Sequence, residues 1–339
     1  MVPLLMRSRS KTARQRLRGK TGFTFCNQGT FSIHARGCIA IINSSYCGSV
    51  DSVKPVFAAT SHLQRKGIAA RCDSRQAMHF LFPSDPLRTK RPDEFYAEEV
   101  AAVRSAGFNL SVFSFEKFQA GSFQAFPPLP VATVIYRGWM LSRREYERFA
   151  AAIVGAGATP FTDTKSYLLA HHLPNWYPAI AELTPETRIF PVDTDLAAVL
   201  RSLSWPEYFI KDYVKSLKTS IGSRISTPEQ AETVAAEMRC FRGTIEGGGC
   251  VRRVESFLPE TEQRYFVLDG VPHAASGHVP TSVENCARRI TSRFFSVDVV
   301  KRVDGVLRVV EIGDGQVSDL VGWKTEQFLY LFSRFAQQN

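Results

Sequence analysis

The sequence predicts a parallel α/β layer followed by an α+β half, and three observations predict it. From Met78 onward short apolar strands alternate with helical stretches. After Val251 the pattern turns to strands separated by Asp-Gly hairpin signals. The chain's 339 residues, 44% of them hydrophobic and 25 of them Phe, suffice for more than one buried core.

Residues 79–83, His-Phe-Leu-Phe-Pro, form the first apolar strand. Asp93-Glu94 opens a helix in which Phe95, Val100 and Val103 recur near helical spacing, and Gly107 ends it. Leu110 to Phe115 alternates as a strand, and Val131 to Tyr136 is another. Ser142 caps a helix to about Gly155, with Tyr146, Phe149, Ala150 and Ile153 on one face. These elements predict an amino-terminal α/β domain over residues 78–165. A Pro-rich connecting region follows, from Leu173 through Pro174, Pro178 and Pro185 to Pro191.

Asp195 to Leu203 then reads as a helix and Tyr208 to Lys211 as a strand. Pro228 to Met238 is a further helix, opened at Thr227 with Gln230 at the capping-box position. Gly247-Gly-Gly249 lacks the Lys-Ser/Thr of a phosphate-binding loop and reads as a turn. Strands are expected at 251–257, 264–268, 293–302 and 306–312, with hairpins at Asp269-Gly270 and Asp304-Gly305. Residues 166–339 thus form two α+β lobes, about 180–250 and 251–339, with a largely antiparallel sheet.

The net charge of +10 belongs to the first 77 residues, which hold 13 of the 42 Lys/Arg and two of the 32 acids. The remainder is near neutral, so composition gives no case for nucleic-acid binding outside this leader. The leader is expected to be disordered or foreign to the natural product, with a targeting peptide and a nucleic-acid arm as alternatives. No run of about 18 apolar residues predicts a membrane span. Seven cysteines without a CxxC pair or a Cys/His zinc spacing favour free thiols in a reducing, cytoplasmic setting. His171-His172 lacks spaced acidic partners and reads as structural.

Chemistry concentrates in three constellations. Two strands joined at Asp304-Gly305 bring Asp298 and Glu311 side by side, and Asp314 falls in the turn just beyond. Three carboxylates amid Val and Ile suit Mg²⁺, which takes few protein oxygens and adds nucleotide phosphates. Lys211 leaves the apolar strand Tyr208-Phe-Ile, and Lys218 lies in a Ser/Thr-rich loop, both within reach of phosphates. The strand from Val251 breaks at Pro259 and offers backbone groups to a nucleobase, while Arg264 could meet a phosphate. Taken singly, Asp298 reads better as a solvated edge residue and Lys211 as a solvated strand-end lysine, while Arg264 reads equally as a surface ion pair.

In this order the residues resemble the ATP-grasp superfamily, closest to the clade named for one arginine and two lysines, family 3-like. The end motif, Glu311-Ile-Gly-Asp314-Gly-Gln316, carries most of the likeness. The resemblance implies an ATP-grasp fold preceded by an amino-terminal α/β (pre-ATP-grasp) domain. It implies ATP and Mg²⁺ as cofactors, with Lys211 and Lys218 on the phosphates. Glu255, Ser256, Phe257, Leu258 and Glu262 would hold the nucleotide, and Asp298, Glu311 and Asp314 the metal. Arg264 and Lys218 would be catalytic, while Arg137 and Lys165 fit the clade's amino-terminal basic positions for substrate or phosphate. The wider family's metal motif ends in Asn, where this chain has Asp314. The implied activity joins a small-molecule or peptide carboxylate to an amine or thiol through an acyl-phosphate. A catalytically inactive nucleotide-binding or interaction protein of the same fold is the alternative.

Overall fold

The computed structural model describes residues 78–214, 216, 222–242 and 245–338. The expectations for residues 1–77 and for Lys218 lie outside the described residues.

Strand β1 (Met78–Pro83) is followed by a 3-10 turn over Glu94–Tyr96, which runs into α1 (Ala97–Ser105). Asp93 starts this stretch, its side chain accepting from the Phe95 N–H. Then come β2 (Asn109–Phe113), α2 (Phe115–Gln119), β3 (Ala125–Phe126), β4 (Thr133–Tyr136), α3 (Arg143–Gly155) and β5 (Thr159–Pro160). The sheet order is β3-β2-β1-β4-β5, with β3 alone antiparallel. Ser114 ends the second strand earlier than its alternation suggests, because its hydroxyl accepts from Lys117 N–H and caps α2. Ser142 and Glu145 form a reciprocal capping box on α3.

Period-two alternation along β1 feeds two cores. Phe80 and Phe82 pack with Val100 and Val103 of α1, whereas Leu81 faces Phe149 and Ile153 of α3.

After α4 (Thr164–His171), the first part of the Pro-rich stretch, expected as a connection, forms the short helix α5 (Leu173–Ile180). Asp163 caps α4, accepting from Ser166 N–H at 2.7 Å. Pro174 sits in the first turn of α5, where a missing N–H removes no helix bond. The apolar spacing Leu173, Trp176, Ile180 then buries one face.

The next unit contains β6 (Thr187–Pro191), α6 (Leu196–Leu203), β7 (Tyr208–Asp212), β8 (Arg224–Ile225), α7 (Gln230–Arg242) and β9 (Gly248–Arg253). Its antiparallel sheet has the order β6-β9-β7-β8. Gln230 performs its capping-box role, its Oε1 accepting from Thr227 N–H at 3.1 Å. Leu200 of α6 and Val234 and Met238 of α7 cover the face bearing Ile210 and Val251. The opposite face is left to Lys211, Cys250 and Arg252 by alternation.

Gly248 and Gly249 are strand residues rather than a turn, paired with Pro191 and Phe190. A Cβ on Gly248 would stand 2.3 Å from the Phe190 carbonyl oxygen, and one on Gly247 would stand 2.1 Å from the Tyr213 ring. The clash at Gly248 is with backbone and cannot be relieved by a rotamer change. Gly248→Ala should therefore lower the denaturation free energy by about 1–3 kcal/mol, as overpacking does. A chemical-denaturation midpoint equal to that of the parent protein would contradict this account.

The last sheet is built from β10 (Phe257–Leu268), β11 (Val271–Ala274), β12 (Phe294–Arg302) and β13 (Leu307–Asp314), with α8 (Thr281–Arg289) preceding β12. Helix α9 (Thr325–Gln338) follows. The order is β11-β10-β12-β13, antiparallel throughout. Asp269 and Gly270 turn with φ of 51° and 78°, the left-handed pair a two-residue hairpin needs. The strand expected at 251–257 is two strands in different sheets: β9 ends at Arg253, β10 begins at Phe257, and residues 254–256 connect the sheets. Phe328 and Phe332 of α9 pack into the same core as Phe80 and Phe294, so α9 closes the β3-β2-β1-β4-β5 sheet.

Candidate functional site

Cross-strand register assembles the site. Asp298 on β12 lies opposite Glu311 on β13 and opposite Arg264 on β10, so the three form a row across one sheet face. Arg264 grips Asp298 with two N–H groups, Nε to Oδ1 at 2.7 Å and Nη2 to Oδ2 at 2.6 Å. Its Nη1 donates to the Asp319 carbonyl at 2.8 Å. Lys211 reaches over from the β6-β9-β7-β8 sheet and places Nζ 3.2 Å from Glu311 Oε1. Lys211 is 4% exposed, whereas the Glu311 side chain keeps 46% of its surface open.

The face therefore holds two cations and two carboxylates, one carboxylate buried and one partly solvated. Burial pushes the Asp298 carboxyl above its ordinary range, against the pull of the Arg264 fork. Arginine alone thus leaves the buried charge incompletely compensated, and a further cation would relieve it. Among the described residues no group of three or more His, Cys, Asp or Glu converges as a metal site. The Asp298–Glu311 pair nevertheless fits Mg²⁺, which takes one or two carboxylates and completes its shell from phosphates and water.

Asp314 does not join them, contrary to the sequence expectation. Strand β13 continues through Asp314, which lies opposite Phe295. Three residues beyond Glu311, it falls on the other face by alternation. It is fully buried. Its Oδ1 accepts from Gln316 N–H at 3.0 Å and Gln316 Nε2 at 3.2 Å, while Oδ2 has no partner among the described residues. Burial pushes its carboxyl up to about 8. Gln316 Nε2 also donates to Tyr146 Oη at 2.8 Å, and the Tyr146 ring stacks on Tyr167. Asp314 thus belongs to a buried network between β13 and helices α3 and α4.

Arg137 is likewise not open to a phosphate. It is 2% exposed, and its guanidinium is engaged by Glu99 at 2.8 and 2.9 Å and by the carbonyls of Gly315, Gln316 and Ser318. Lys165 stands exposed on the first turn of α4.

Of the residues expected at the nucleotide, Glu255 and Ser256 lie in the segment connecting the sheets, and Phe257, Leu258 and Glu262 lie on β10. Glu255 is held by Arg308 through two bonds of 2.9 Å, and Arg308 also donates to the Glu182 and Thr184 carbonyls. The Ser256 carbonyl accepts from Val303 N–H at 3.0 Å. Phe257 and Leu258 pair with Arg302 and Lys301. Glu262 lies exposed on β10, where the register shifts between Leu258 and Gln263.

Arg252 escapes a reading of the sequence. It is buried on the same sheet face as Lys211 and donates to Val310 O and Thr184 Oγ1, each at 2.6 Å, tying β9 to β13. Alternation in Val251-Arg-Arg-Val254 is the available signal, since one of two successive strand arginines must point inward.

Residues 200–330 match a family model described as an ATP-grasp domain, family 3 of the clade named for one arginine and two lysines. No curated protein matches the sequence. Among solved structures, the D-cycloserine synthetase DcsG is similar with a TM-score of 0.54 at 13% identity, over 76% of this chain and 99% of that one. The D-alanine-D-alanine ligase from Coxiella burnetii gives 0.52 at 11%, over 78% and 97%. The ATP-grasp ligase PsnB, complexed with precursor peptide PsnA2 and AMPPNP, gives 0.50 at 11%, over 77% and 98%. At such identities the structural likeness speaks for the fold, and the family match speaks for the stretch it covers. The chain has an ATP-grasp fold, and its residues 200–330 match the ATP-grasp domain family 3 of the one-arginine, two-lysine clade.

Proposed function

We propose that this protein is an ATP- and Mg²⁺-dependent ligase that joins a carboxylate to an amine or thiol through an acyl-phosphate. The observation that carries the reading is the Asp298–Glu311 pair, which lies between Arg264 on its own sheet and Lys211 on the facing one. Opposed cations and carboxylates between two sheets suit a triphosphate, whose charge must be neutralised and whose terminal phosphorus must be positioned.

A substrate carboxylate oxygen attacks the γ-phosphorus and ADP leaves. The amine or thiol then attacks the acyl carbon, phosphate departs, and the nucleophile's proton passes to solvent or a base. Asp298 and Glu311 would hold Mg²⁺, which supplies charge neutralisation on the phosphate oxygens. Lys211, its shank buried on β7, gives a fixed positive charge toward the phosphates. Arg264 orients Asp298 and stands beside the reacting group. The backbone of residues 254–258, at the joint between the sheets, is where the nucleobase would lie. Small-molecule or peptide carboxylates are the substrate class, as PsnB's bound precursor peptide and the D-alanine-D-alanine ligase illustrate for similar folds. Free Cys240, Cys250 and Cys286 accord with a reducing, cytoplasmic setting. Among the described residues no helix is long and apolar enough to cross a membrane.

Calorimetric titration of ATP into the protein, with and without Mg²⁺, tests the reading, followed by a screen of carboxylate–amine pairs for ADP release. Binding that strengthens with Mg²⁺ and falls at least about tenfold in Lys211→Met, the loss expected for a charge-assisted contact, is the expected result. A folded protein that binds no nucleotide would instead be an interaction module that kept the fold.

A further inference from the structure

Arg137 sits at the carboxyl end of β4, yet its side chain works on the segment that follows β13. Its Nη1 donates to the Gly315, Gln316 and Ser318 carbonyls at 2.7, 3.1 and 3.0 Å. Nε and Nη2 are fixed by Glu99 of α1 at 2.8 and 2.9 Å, and the guanidinium lies 4.7 Å from the Phe328 ring centre. Burial opposes the charge on Arg137, but Glu99 outweighs it, so the guanidinium is held firmly protonated. The next residue along the segment, Asp319, supplies the carbonyl that receives Arg264 Nη1 at 2.8 Å. Arg264 in turn grips both oxygens of Asp298.

We propose that Arg137 is a positioning residue for the candidate metal carboxylates. Anchored by Glu99, it fixes residues 315–319, and their last carbonyl sets where Arg264 stands against Asp298. The inference rests on the ligase reading only in taking Asp298 as a metal ligand. Three contacts, two to Asp298 and one to Asp319, define the plane of the Arg264 guanidinium. Without the Asp319 contact its fork is free to follow Asp298 and to compete with a metal ion for the same oxygens. A buried arginine engaged by one carboxylate and three carbonyls is preorganised for this task. Lysine, with a single nitrogen, cannot serve both sets of partners.

The test uses the full chain and Mg²⁺-ATP as probe. In Arg137→Lys, the gain in ATP affinity brought by Mg²⁺ should shrink about tenfold, as it does when groups behind a metal ligand are lost. Metal-free ATP affinity should stay unchanged. Arg264→Lys should lose a similar part of the Mg²⁺ gain, and adding Arg137→Lys to it should cost nothing further, since both act on one contact. A role confined to stability would lower the melting temperature, leave the Mg²⁺ gain intact, and overturn the proposal. Fully additive losses in the double variant would overturn it as well. Should Arg137→Lys not fold, Glu99→Gln loosens the same anchor and should shift the Mg²⁺ gain in the same direction by less. An unchanged gain in that variant counts against the proposal. A parent protein whose ATP binding ignores Mg²⁺ would instead refute the ligase reading, so the two failures are distinct.

Discussion

Glu311→Gln should abolish most Mg²⁺-dependent ATP binding while leaving the fold intact. Glu311 is the more open of the two carboxylates on the β12–β13 face, and among the described residues one of its oxygens is engaged, by Lys211 at 3.2 Å. The loss should exceed the roughly 10–100-fold typical of groups one step behind a metal ligand. Glutamine keeps the shape and a neutral acceptor for Lys211, so the melting temperature should fall little, within the roughly 0–1 kcal/mol of a partly solvated ion pair. Calorimetry with and without Mg²⁺, paired with a thermal melt, separates the two effects. Unchanged Mg²⁺-dependent binding in a folded variant would sink the metal assignment. A collapse of the melting temperature would mean that the acid holds the two sheets together rather than a cation.

The second large effect concerns Asp314 and pH. Its carboxyl is buried, with Oδ2 unpartnered among the described residues, and burial pushes it up to about 8 in the folded protein, against 3.8 for an ordinary Asp. Between about pH 4 and pH 8 the folded state therefore holds a proton that the unfolded chain has released. Stability contributed by the neutral acid is full below the lower value and is lost as pH rises through the upper one. The slope approaches about 1.4 kcal/mol per pH unit and levels off above the folded value. Asp314→Asn, which cannot ionise and keeps an oxygen for Gln316, should flatten this slope and exceed the parent protein in stability above about pH 8. Denaturation midpoints from about pH 5 to about pH 9, in buffer free of divalent metal, give the comparison. Parallel profiles for the two proteins would show that Asp314 does not carry the linkage.

The two carboxylates and the two cations are legible because each is fixed by strand register or strand position. Asp304-Gly305 sets the hairpin and pairs Val299 with Val309, but it takes a register shift just beyond that pair to bring Asp298 opposite Glu311. Register also undoes the third expected ligand. An Asp three places after Glu311 suits a turn that folds back, but β13 runs on through it, so its side chain lies on the opposite face. The extension depends on pairing with Phe295 and on Gln316 and Ser318 binding back to Asp314. The pairing with Phe295 is a contact between segments, and it leaves no mark on local propensity.

Arg137 and Arg252 show the same division from the side of charge. The sequence marks each as a cation next to apolar strand residues and has no means of saying what it meets. Arg137 meets Glu99, 38 residues away, and carbonyls about 180 residues away. The Pro-rich stretch after residue 173 reads as a link because Pro174 and Pro178 argue against helix locally. Burial of Leu173, Trp176 and Ile180 overrides that preference.

By itself the sequence determined the alternation of strands and helices and the hairpins, and it marked Lys211, Arg264, Asp298 and Glu311 as candidates by strand position, since these rest on periodicity and turn chemistry within a few residues. Tertiary structure alone decided that Asp314 turns away from the candidate metal face, that Arg137 is an internal strut, and that α9 closes the β3-β2-β1-β4-β5 sheet. Those outcomes depend on burial and on partners brought together across the chain, where a polar group must find its hydrogen bonds or go without.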